Sequence, residues 1–104
     1  MKIAVASNNG KTVNLHFGDA SHCLIFEVDG NQVNFVELRE KPRKPIKDHS
    51  DRWIQSLELI DDCQVVLCSK IGPEPKESLK SKGIEAVESQ KGITEAIKDH
   101  LSIK

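Results

Sequence analysis

Apolar and polar positions alternate along the chain in two periods. The run Lys2 to Ala6 (KIAVA) ends at Ser7-Asn8-Asn9-Gly10, a pattern that predicts a buried strand followed by a turn. Cys23 to Val28 and Gln32 to Leu38 flank Asp29-Gly30-Asn31, the strongest short signal for a hairpin. Glu40 to Lys47 carries two prolines and predicts a loop. From about Ser50 to Asp61, Trp53, Ile54, Leu57 and Ile60 recur at helical spacing, with Ser50 or Asp48 as the N-cap. Gln64 to Cys68 is continuously apolar after its first residue, as in a strand covered on both faces, and Gly72-Pro73 leads into a charged helix that stops at Gly83. Ile84 to Val87 gives a last strand, and Ile93, Ala96, Ile97 and Leu101 stripe a terminal helix beginning near Gly92.

The order β-β-β-α-β-α-β-α, with right-handed crossovers between the later strands, predicts a single α/β domain over residues 1–104. A first strand paired with both the hairpin and the fourth strand gives a five-stranded mixed sheet in the order 3-2-1-4-5, flanked by about three helices, as in the ribonuclease H-like topology. Composition narrows the class. Fifteen Lys and Arg stand against 16 Asp and Glu, a net charge of −1, which lacks the basic excess of a nucleic-acid binder. No apolar run reaches the roughly 18 residues of a membrane span, and no signal-peptide core follows the N-terminus. Three cysteines without a CxxC pair indicate reduced thiols in a cytoplasmic protein.

With that topology, the exits of strands one, three, four and five and the entrance of strand two share one rim. There His16, His22, Cys23, His49 and Cys68 gather, where open α/β sheets bind ligands. Imidazole and thiolate suit iron, copper, zinc and iron-sulfur clusters. Taken singly, a histidine is more often structural and a strand cysteine more often a small hydrophobe. His16 lies in Leu15-His16-Phe17-Gly18-Asp19, where Phe17 can anchor the loop and Gly18 permits an unusual backbone. Cys68 ends a strand just before Ile71-Gly72, where helix-start amides favour an anion. Arg43 and Lys44, in a basic stretch from Arg39 to Lys47, could receive the same anion or simply be solvated. Cys63 reads as packing, and His100 as a helix-end cation. Signatures of catalysis (GxSxG, P-loop, GxGxxG, HExxH) are missing, so the sequence predicts a non-enzyme.

The segments MKIAVAS, VNLHFGDASHCLIFEV, DCQVVLCSKIG and KGIEAVESQKGITEAI together resemble the dinitrogenase iron-molybdenum cofactor biosynthesis family, which includes NifX, NafY and the carboxyl-terminal domain of NifB. The resemblance covers nearly the whole chain and is weakest through Glu40 to Ile54. It implies a ribonuclease H-like fold that binds the iron-molybdenum cofactor or its iron-sulfur precursor and carries it between nitrogenase cofactor-assembly proteins. It places the metal contacts at His16 and Cys68, with His49 a lesser candidate, and the reading of the rim and basic loop adds Gly18, Cys23, Arg43 and Lys44 around the cargo. Two other readings compete: a partner-binding or regulatory module of the same family that touches no cluster, and a small redox protein using Cys23 or Cys68.

Overall fold

A computed structural model describes residues 1–41 and 49–102. The central strand β1 (Lys2–Ala6) buries Ile3, Val5, Ala4 and Ala6 completely, because both of its faces and both of its edges are covered. It pairs antiparallel with β2 (His22–Asp29), with Ala6 opposite Cys23, and parallel with β4 (Val65–Cys68), with Val5 opposite Leu67. The hairpin partner β3 (Gln32–Glu40) forms one sheet edge and β5 (Glu85–Glu88) the other, giving the order β3-β2-β1-β4-β5 that the sequence predicts. Gly30, at φ 62°, supplies the left-handed residue that a tight hairpin turn needs.

Alternation along the strands sorts the core into two halves. Ala4, Ala6, Cys23, Ile25, Val66 and Cys68 face one side, where they pack with Leu57 and Ile60 of α1 (His49–Leu59 and the turn after it) and Leu79 of α2 (Pro73–Ser81). Ile3, Val5, Val28, Val65 and Leu67 face the other, under Ile93, Ala96 and Ile97 of α3 (Ile93–Ser102). No helix of the described residues is long and apolar enough to cross a membrane.

The departures from the sequence reading are local. The first helix starts at His49, so Ser50 lies inside it and does not cap it, and Asp48 falls outside the described residues. Its inward stripe is the half-buried Trp53 with the buried Ser56, Leu57 and Ile60, whereas Ile54 is 39% exposed, one position off the face that meets the sheet. The third strand runs on to Glu40, and the last strand occupies Glu85–Glu88, shifted by one residue.

An ion pair fastens the end of the first helix to the edge hairpin. Arg39 donates from Nη1 to the Leu59 carbonyl at 3.0 Å and grips the Asp62 carboxylate with both terminal nitrogens, while Lys2 Nζ donates to the same carboxylate at 3.1 Å. The Arg39 hydrogen bonds, with help from Lys2, hold the Asp62 carboxyl far below the usual carboxylate range. A depressed folded-state pKa gives stability that is complete above the unfolded value near 4 and is lost as pH falls through the folded value. Asp62 is 43% exposed, so solvent screening keeps the effect small. Asp62→Asn should therefore lower the melting temperature at pH 7 by a few degrees at most, and the gap to the parent should close in acid; a gap unchanged from pH 7 to strong acid would disprove the ion-pair origin.

Candidate functional site

Past Ala6 the chain does not leave the sheet. The buried Ser7 hydroxyl accepts hydrogen bonds from the Asn9 and Gly10 amides, and the Asn9 side-chain oxygen accepts from Lys11 and Thr12 N–H at 2.8 and 2.9 Å. That network folds the polar turn back, so Asn14 and Leu15 N–H both reach the Ala6 carbonyl. The next residues then run beside the extension of β4. Ser69 N–H donates to the Leu15 carbonyl and Phe17 N–H to the Lys70 carbonyl, each at 2.9 Å, forming a parallel bridge that pairs His16 with Lys70.

Phe17 is the anchor of this segment. Its ring is 1% exposed within the core half beneath the first helix, and complete burial of such a ring is worth about 2 to 3 kcal/mol. The Phe17 carbonyl accepts at 2.8 Å from the hydroxyl of Ser56, a buried polar side chain in an otherwise apolar helix stripe. Lys41, at the exit of β3, donates from Nζ to the Gly18 carbonyl at 2.8 Å. A methyl group at Gly18 would meet Trp53 Cβ at only 3.9 Å, which is ordinary contact, so its closeness to the first helix does not demand glycine. Between these fixed points His16 is exposed, and Lys70, its bridge partner, is exposed beside it. Paired residues on neighbouring strands project to the same face, so an imidazole and an ammonium stand together at the rim.

The cysteines behave differently. Cys23 and Cys68 do reach the rim end of their strands, on either side of Ala6, but their side chains point into the core and are 1% and 0% exposed. Two strand spacings put their Cα atoms about 10 Å apart, too far for a disulfide. Burial pushes the Cys23 thiol up to about 11 and the Cys68 thiol up to about 12, with Glu88 adding to the second. Burial likewise pushes Cys63 up to about 12. At neutral pH these are thiols, not thiolates, and the expected presentation of His16 and Cys68 side by side at the surface is not what the fold displays. His49 is the first residue of α1, and Arg43 and Lys44 fall outside the described residues. His22 holds Ser21 through Nδ1 at 2.8 Å. Among the described residues, no three His, Cys, Asp or Glu side chains come together as a metal-ion cage.

Two contributors escaped the sequence reading. Lys70 carries no motif and becomes visible only through the bridge to His16, while the signal for Ser56 was available, since it sits at i+3 from Trp53 on the buried stripe. Thiol burial gives a direct check. In the folded protein, a thiol-reactive dye should label all three cysteines only at the rate of unfolding or large local opening; rapid native-state labelling of Cys68 would contradict its placement.

The chain matches the family described as dinitrogenase iron-molybdenum cofactor over residues 1–102. It is 34% identical over 100 residues to the FeMo cofactor biosynthesis protein NifB of Frankia alni, covering 91% of this chain but 20% of that protein. It is 29% identical to the NifX protein of Sinorhizobium fredii, covering 98% of this chain and 66% of that one. The crystal structure of PH0822 superposes with a TM-score of 0.76 at 28% identity, over 100% of this chain and 91% of the other. The chain thus spans about a fifth of the NifB relative and about two thirds of the NifX relative. Extending over all five strands and the rim segment, the match shows that the chain belongs to the dinitrogenase iron-molybdenum cofactor family, which is involved in the biosynthesis of that cofactor.

Proposed function

We propose that this domain binds the iron-molybdenum cofactor, or the iron-sulfur cluster from which it is built, and carries it between nitrogenase cofactor-assembly proteins without reacting it. The observation that supports this most is the exposed His16 held beside Lys70 on a segment pinned by Phe17. A histidine on a rigid support can offer one ring nitrogen to an exposed metal atom of a preassembled cluster, and the Lys70 ammonium offsets the cluster's negative charge. Carriage favours few protein ligands, since each one must be broken again when the cargo is handed on.

Within this reading His16 makes the first contact. Cys68 joins only if the rim parts enough to uncover and deprotonate its thiol, and Cys23, buried across Ala6, faces the same cost. In the same proposal Gly18 flanks His16 in the segment, Arg43 and Lys44 supply further counter-charges, and His49 is a further contact for the cargo. The strand order supports a ribonuclease H-like description of the fold. A second reading, a module that binds an assembly partner and no cluster, is favoured by the burial of all three thiols.

Anaerobic mixing of the purified chain with the cofactor or its precursor, followed by gel filtration and iron analysis, separates the two. The carrier reading predicts stoichiometric retention of iron, reduced at least about tenfold in His16→Ala and nearly unchanged in Cys68→Ala. Undiminished retention in His16→Ala would remove this site, and no retention of either cluster by the parent would leave the partner-binding reading.

A further inference from the structure

The edge of the sheet farthest from the hairpin ends in a groove. β5 pairs only with β4 among the described residues, and its Glu85 N–H and the following Ser89 N–H donate to the Gln64 and Cys68 carbonyls. In a parallel ladder the backbone groups of alternate residues turn the other way, so Ala86 and Glu88 present their N–H and C=O outward. Beside this free edge lies a cavity of about 390 Å³ lined by Lys76, Lys80, Gly83, Ile84, Glu85 and Ala86. Its floor is apolar, formed by the buried Ile84 and half-buried Ala86. Its wall is basic: Lys76 and Lys80, one helical turn apart and both exposed, line it from α2, while Glu77 sits about 100° round the helix. Glu85 is the one acid in the lining; its carboxylate lies 3.8 Å from the buried His100 Nε2 on the α3 side of the sheet.

We infer that an extended acidic peptide segment of a partner protein docks here, adding a strand to β5 with its carboxylates paired to Lys76 and Lys80. Strand addition accounts for the free backbone groups, the apolar floor takes alternate side chains, and the paired lysines fix the charge of the occupant. The groove lies toward the start of β5, whereas His16 sits at the end where β4 and β5 finish, so a partner held here leaves the His16 rim open. This inference does not depend on what the rim binds.

The probe is a short capped peptide alternating glutamate and valine, titrated into the 15N-labelled full chain. Saturable amide shifts centred on Ala86 and Glu88, slowed exchange of those two amides, and at least about tenfold weaker binding in Lys76→Glu/Lys80→Glu are expected. Three controls can overturn the proposal: equal binding of the peptide with glutamine for glutamate denies the charge pairing, equal binding of a backbone N-methylated peptide denies strand addition, and shifts confined to the β3 edge, or no saturable shifts, deny the site. Shifts at Ala86 that grow with protein concentration alone would replace the acidic partner with a second copy of the chain. Both lysines are exposed, so the double variant should keep the parent's circular dichroism spectrum and remain a valid comparison.

Discussion

Burial of the Phe17 ring is the constraint on which the site depends. A loop leaving the central strand of an α/β sheet would ordinarily be free to wander, but here a large apolar side chain is sunk into the core two residues beyond the point where the chain rejoins the sheet. Backbone bonds to the Ser69 amide and the Lys70 carbonyl on one side, and to Ser56 on the other, then leave the intervening residue little freedom. The intervening residue is His16. Its exposure is a consequence of its neighbours' burial, and the same backbone bridge brings Lys70 alongside it.

The cysteines show the opposite effect of the same core. Cys23, Ala6 and Cys68 form a row across three strands on the face covered by the first two helices, and the small central alanine leaves space for two sulfur atoms in an apolar layer. Removal from water keeps the protons on, so chemistry available to a thiolate is withheld until the layer opens. Among the described residues the fold exposes the His16 imidazole and hides all three thiols, a contrast that fits the proposed loose capture of a preassembled group better than tight encagement of a metal ion.

Most of the architecture was legible because few alternatives satisfy it. The apolar stretches Ile3 to Ala6 and Val65 to Cys68 read as central strands, the Asp29-Gly30-Asn31 turn marked a hairpin, and pairing the first strand with both the hairpin and the fourth strand led to the order 3-2-1-4-5. The placement of His16 at the rim followed from the same reasoning. The accessibility of Cys68 did not, because position along a strand says which end a residue occupies, whereas exposure depends on which face the first helix covers. The helix stripe shows the same limit: Ile54 looked like core by hydropathy but lies off the face that meets the sheet, while Ser56 lies on that face and satisfies its buried hydroxyl at the Phe17 carbonyl. Lys70 was invisible to pattern, since its role arises from a bridge between segments far apart in the chain.

The most direct measurement is pulsed electron paramagnetic resonance on the cluster-loaded domain labelled with 15N only at histidine. The account predicts a 15N hyperfine coupling to the cluster that disappears in His16→Ala protein loaded with the same cluster. A loaded domain showing no 15N coupling, or one whose coupling survives that substitution, would contradict His16 as the ligand the fold presents.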